Sequence, residues 1–196
     1  MYERAIGTEA GPVYRAGLAA LRQGDRLLTS RVAHWRSPVT REILPAVESA
    51  AERTKLWWAA AGLMAAVGGR RHRRAAVAGL AAMGLAELLS NGVGKQLCER
   101  RRPPAELIPH DGVEDRPDSS SFPSGHTAAA VGFSAAVAGA APVVGALCAV
   151  PACVVAVERV QSGAHYPSDV AAGAALGLAS AWLIHRVPKV WWRRLP

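Results

Sequence analysis

The stretch Ser121-Phe122-Pro123-Ser124-Gly125-His126-Thr127 stands between a polar, acidic, proline-containing segment (103–121) and a long run of small apolar residues that starts at Thr127. That is the layout of a loop feeding the first turn of a helix. Ser124 suits the N-cap position, and Gly125 lets another backbone or a ligand come close. The unpaired N–H groups of such a turn, with the positive end of the helix dipole, form a site for an anion. His126 lies in the same turn. An anion pocket with a proton donor beside it points to phosphoryl chemistry.

The chain has 196 residues, a length for one domain with a short appendage. Half of it is hydrophobic, mostly Ala, Val, Leu and Gly, with two Phe. Small-residue runs of that kind suit helices packed closely in a bilayer. The net charge of +8 would fit a nucleic-acid binder, but the basic residues gather at the ends of apolar runs, as juxtamembrane charge does. No stacking platform or base-reading helix is visible, so no nucleic-acid partner is expected. Cys98, Cys148 and Cys153 show neither metal-site nor disulfide spacing and are expected to be small packing residues. The first apolar stretch of any length begins at Leu56, so no cleavable leader is expected.

Residues 1–54 form an amphipathic N-terminal segment. From Val13 to Trp35 apolar residues recur at helical spacing with Arg15, Arg22, Arg26, Arg31 and Arg36 between them, and Pro38 and Pro45 interrupt the pattern. The segment is expected to lie on a membrane surface or on the rest of the protein. Residues 55–196 form the membrane-embedded unit. Its first helix, 56–69, opens with the Trp57-Trp58 pair expected in an interfacial belt and rises only about 21 Å, short of the roughly 30 Å hydrocarbon core. An Arg70–Arg74 loop is expected next, then a span over 75–94. Glu87, Asn91 and Lys95 recur at every fourth position, hence on one helix face. Glu87 reads either as an interfacial side chain or as the start of a polar stripe leading to Lys95. The apolar run 127–157 breaks at Gly139-Ala140-Ala141-Pro142 into two short helices, and 169–184 is the last span, with Gly173 and Gly177 set for close helix contact. The tail 185–196 reads as a basic, Trp-containing interfacial anchor. The expected fold is therefore all-α: a multi-pass bundle of about five membrane helices plus N-terminal amphipathic helices.

If the Arg70–Arg74 loop is cytoplasmic, alternate crossings put three polar clusters together on the far side: Lys95 to Pro103, Pro123 to His126, and Arg159 to Asp169. Lys95, Arg102 and Arg159 can surround phosphate oxygens. Two histidines from different segments can divide the work of nucleophile and proton donor. Asp169, four residues after His165, is spaced to accept from one ring nitrogen and leave the other bare.

These clusters resemble the signature of the PAP2 (type 2 phosphatidic acid phosphatase) superfamily. Lys95, Arg102 and Pro103 match its Lys-x₆-Arg-Pro part, Pro123 to His126 its Pro-Ser-Gly-His part, and Arg159, His165 and Asp169 its third part. The resemblance covers residues 75–184 and implies a membrane phosphatase with a haloperoxidase-like helical fold. It implies His165 as nucleophile through a phosphohistidine, Asp169 as the group orienting it, and His126 as the acid for the leaving group. It implies Lys95, Arg102, Ser124, Gly125 and Arg159 as phosphate-binding residues, with no metal ion or other cofactor. Glu158 departs from the pattern, which has Ser there, and is expected to turn away from a bound phosphate or to pair with an arginine. Arg100 and Arg101 are left over, as solvated charge or as contacts for a second phosphate or lipid headgroup.

The expected partner is a lipid phosphate in the cell membrane, met at the extracytoplasmic face. Polyprenyl diphosphate or a polyprenyl-linked phosphate stands first as substrate, with phosphatidic acid or phosphatidylglycerol phosphate next. The rival readings are a vanadate-dependent haloperoxidase-like enzyme and a non-catalytic basic membrane scaffold. His110, Asp111, Glu114, Asp115 and Asp118 read as a solvated acidic loop rather than a metal site. His34, His72 and His185 read as structural.

Overall fold

The computed structural model describes residues 11–51, 54–109 and 119–186. The acidic loop at 110–118 and most of the basic tail lie outside these residues. Among the described residues every regular element is helical. In chain order they are α1 (Pro12–Ala33), α2 (Leu44–Ala51), α3 (Lys55–Val67), α4 (Arg70–Glu87), α5 (Gly125–Ala140), α6 (Pro142–Gln161) and α7 (Pro167–Arg186). A π-helical stretch, Leu88–Gly94, and a last turn, Lys95–Leu97, extend α4. The continuous helix Arg70–Leu97, α6 and α7 are each long and apolar enough to cross a membrane, while α3 is shorter.

The hairpin break falls where the apolar run is interrupted. The α5 helix ends at Ala140, and Pro142 opens α6 at a position that needs no N–H. Pro45 does not break its helix. It follows a π-helical turn, Val39–Ile43, whose wider spacing suits a residue with no N–H to give to Arg41.

The expected Arg70–Arg74 loop is instead the first turn of α4. Positive charge at a helix N-terminus opposes that helix's own dipole. Two of these arginines reach other helices' C-terminal ends: Arg71 Nε donates to the Ala140 carbonyl at 2.5 Å, and Arg73 Nε to Ala65 at 3.1 Å. The π-helical stretch also breaks the fourth-residue register, so Glu87, Asn91 and Lys95 do not form one straight stripe.

The α5 helix is the axis of the bundle, packed between α4, α6 and α7 and buried along most of its length. Lipid tails are as apolar as leucine, so association here rests on close packing rather than on escape from water. The spacing of Gly173 and Gly177 supplies that closeness. A Cβ on Gly177 would stand 2.5 Å from the Ala128 carbonyl oxygen, and one on Gly173 2.4 Å from that of Ser124. On another side, Phe133 is wholly buried and meets Trp57 with ring centroids 5.5 Å apart. Trp57 therefore belongs to the core, and only Trp58 keeps the exposure expected of an interfacial residue. Likewise Cys148 is buried as expected of a packing residue, whereas Cys98 and Cys153 are exposed.

Candidate active site

Three polar segments converge where α4 and α6 end and α5 and α7 begin. Backbone hydrogen bonds join them, Ser121 N–H to Arg100 O at 2.9 Å and Ser124 N–H to Asp169 O at 3.0 Å, while His165 N–H to Arg159 O at 2.9 Å folds the third segment back on itself. Gly163, with φ of 66°, takes the left-handed conformation that turns the chain back after α6 and delivers His165.

The His165 side chain is buried. Its Nδ1 lies 2.6 Å from the Ser121 carbonyl oxygen, which can only accept, so Nδ1 carries the proton and Nε2 of the neutral ring is bare. Burial pushes the ring's pKa down from 6.5 to about 3, and repulsion from Arg102, Arg159 and His126 adds to this against the opposing Ser121 bond. His126, exposed in the first turn of α5, is thus close enough to His165 to act on its charge.

Asp169 does not make the bond its spacing suggested. Its Oδ2 stands 3.9 Å from His165 Nδ1 and instead accepts Tyr166 N–H at 2.9 Å. With Pro167 opening α7, Asp169 is the third residue of the helix and reaches back to the N–H just before it, the reciprocal arm of a capping box. The Ser121 carbonyl holds the imidazole directly, and Asp169 holds the turn that carries it.

The cationic residues surround this ring. Lys95 Nζ and Arg102 Nη2 each lie 3.4 Å from Ser119 Oγ, and Arg102 Nη1 donates to the Ala164 carbonyl at 2.6 Å. Burial, aided by repulsion from Arg159 and opposed by Asp169, lowers the Arg102 pKa below its usual value. Arg159 donates through Nε and Nη2 to Glu158, whose carboxylate is buried. The expectation that Glu158 pairs with an arginine holds, and that arginine is Arg159. Ser124 occupies the N-cap of α5, but its Oγ meets Thr127 Oγ1 at 3.0 Å. Gly125 is buried against Ser90 and Asn91.

Arg100 lies here with its cluster, as expected, but in a role the sequence did not suggest. Its Nη1 donates to Asp169 Oδ1 at 2.5 Å and Ser168 Oγ at 2.7 Å, its Nη2 to Asp25 Oδ2 at 2.6 Å, and its guanidinium lies 4.3 Å over the Tyr166 ring. It is held by two carboxylates rather than left as solvated surface charge. Asp25 comes from α1, so the N-terminal segment is bonded to the same end of the bundle as the histidines. Its partners lie far away in sequence, and no local pattern announced them.

A helical bundle with spans long enough for a membrane, closed at one end by two histidines among basic groups, defines a membrane protein built to handle an anionic group. The chain belongs to the PAP2 superfamily, whose model matches residues 75–193. No curated protein matches the sequence. Among solved structures, the fold is similar to that of the transmembrane PAP2 type phosphatidylglycerolphosphate phosphatase from Bacillus subtilis, with a TM-score of 0.62 and 23% identity over 85% of each chain. It is also similar to LpxE from Aquifex aeolicus, with a TM-score of 0.65 and 22% identity over 81% of this chain and 93% of that one.

The His165 environment has a spectroscopic consequence. In ¹⁵N-labelled protein the ring is expected to stay neutral, with its proton on Nδ1, from neutral pH down to pH 5. Because nearby positive charge lowers the pKa, Arg102→Ala should move the midpoint up. A wild-type midpoint above pH 6 would contradict the placement of the ring.

Proposed function

We propose that the protein is a phosphatase that hydrolyses the phosphate of a membrane lipid. The bare Nε2 of a neutral, buried His165, anchored through Nδ1 beside Arg102 and Arg159, is the observation that carries this reading. Nε2 forms a bond to phosphorus while the bond from phosphorus to the leaving oxygen breaks, and His126 gives that oxygen its proton. A water molecule then attacks the phosphohistidine, its proton passes to His126, and His165 is released with inorganic phosphate. Lys95, Arg102 and Arg159, with Ser124 and the N–H groups at Gly125, hold the phosphoryl oxygens, and Asp169 keeps the His165 turn in place. These residues complete the hydrolysis without a metal ion.

The chain divides into an amphipathic segment, 1–54, and a membrane-embedded catalytic unit, 55–196. The favoured substrates are polyprenyl diphosphate or a polyprenyl-linked phosphate, whose tail stays in lipid while its head reaches the bundle end. Phosphatidic acid and phosphatidylglycerol phosphate come next, and the fold shared with a phosphatidylglycerolphosphate phosphatase supports that class. In the cell membrane the Arg70–Arg74 end of α4, where four arginines gather in one turn, faces the cytoplasm, and the histidine end lies outside together with the basic N-terminal segment bonded to it.

Phosphate release from a panel of these lipids in detergent tests the activity. His165→Ala is expected to lose at least roughly 10³-fold in kcat, and Arg102→Ala roughly 10²- to 10³-fold. A His165→Ala protein with normal turnover would overturn the mechanism. Native Cys98, exposed near the histidine end, reports orientation: an impermeant maleimide should label it in intact cells and spare Cys98→Ser. Glu158 neutralises Arg159, so Glu158→Gln should tighten inhibition by inorganic phosphate by roughly tenfold, the equivalent of about 1.4 kcal/mol. An unchanged inhibition constant would remove Arg159 from the phosphate contacts.

A further inference from the structure

The carboxylate of Asp25 is buried, although it lies on a helix whose residues 13–23 are all exposed. Asp25, Thr29 and Ala33 form the buried stripe by which α1 meets the bundle. A desolvated carboxylate needs compensating donors. Asp25 Oδ1 accepts Ser168 N–H at 3.0 Å, and Oδ2 accepts Ser168 Oγ–H at 2.6 Å and Arg100 Nη2 at 2.6 Å. The Ser168 N–H belongs to the first turn of α7, where backbone donors have no partner within the helix. Asp25 therefore caps another helix from a distance, and its negative charge faces the positive end of that helix's dipole.

The contact reaches the reacting ring through two further bonds. Arg100, held by Asp25 on one side, donates to Asp169 Oδ1 on the other. Asp169 then holds Tyr166 N–H, next to His165 in the chain. The guanidinium is thus held between two carboxylates, with the Tyr166 ring against its face. If Asp25 is lost, Arg100 keeps one carboxylate instead of two, and the first turn of α7 loses its cap.

We propose that Asp25 is a positioning residue for phosphoryl transfer: through Ser168 and Arg100, the N-terminal helix fixes the turn that aims His165. This rests on His165 being the nucleophile. Asp25 bonds to Ser168 and Arg100, not to the phosphate-binding side chains, so its loss should affect the chemical step more than substrate binding.

The test uses the full-length chain in detergent with a lipid phosphate substrate, comparing Asp25→Asn, Asp25→Ala, Arg100→Gln and the Asp25→Ala/Arg100→Gln double variant. Asp25→Ala is expected to lower kcat roughly 10- to 100-fold, the loss a small misplacement of reacting groups brings, while KM stays within about threefold. The double variant should be little worse than the more damaged single one, because both act through one network. Asp25→Asn keeps the size and an oxygen for Ser168 N–H but loses the charge facing Arg100. It should fold with an unchanged Tm, lower kcat and show faster amide exchange over residues 162–172. An Asp25→Asn protein with wild-type kcat and exchange overturns the proposal, as do losses confined to KM or strictly additive in the double variant. His165→Ala run in parallel separates the two ideas. If it keeps turnover, the nucleophile assignment fails, whereas an inactive His165→Ala beside a fully active Asp25→Asn removes only the role given to Asp25.

Discussion

The hydrogen bond from His165 Nδ1 to the Ser121 carbonyl is the contact on which the site depends. A carbonyl oxygen can only accept, so the bond assigns the ring proton to Nδ1 and leaves an unprotonated nitrogen opposite. Burial and the neighbouring cations keep the ring neutral. The same cations proposed to hold a phosphate thus favour the imidazole with Nε2 unprotonated. The bond joins the loop before α5 to the turn before α7, so it requires those two helices to begin side by side.

That requirement explains the composition of the helices behind it. Helices α5 and α7 lie close enough for Ser124 and Ala128 carbonyl oxygens to occupy the space a side chain at Gly173 or Gly177 would need. Larger residues there would move the α7 start away from Ser121 and Ser124. Small residues in this bundle serve the His165–Ser121 contact as well as helix packing, since ring and carbonyl meet only at that helix spacing.

Much of this was legible in the sequence because its signals are local. Apolar run lengths, Pro142, and the spacings in the three clusters carry the helical bundle and the convergence of His126, His165, Lys95, Arg102 and Arg159. Three features were not legible, each for a physical reason. The π-helical stretch after Glu87 alters the register without a distinctive residue. Asp169 could satisfy either an imidazole or the helix N-terminus, and the nearer backbone N–H of Tyr166 took it. Arg100, like Arg101, read as left-over solvated charge or a headgroup contact because its carboxylate partners lie 69 and 75 positions away.

The link between Asp25 and Ser168 spans 143 positions. During synthesis α1 emerges well before its docking point on α7. Until then the Asp25 carboxylate has neither Ser168 nor the finished α7 start to bond to. The histidine end can therefore close only after α7 is in place, and a chain stalled before that helix would carry α1 to α6 but no assembled site.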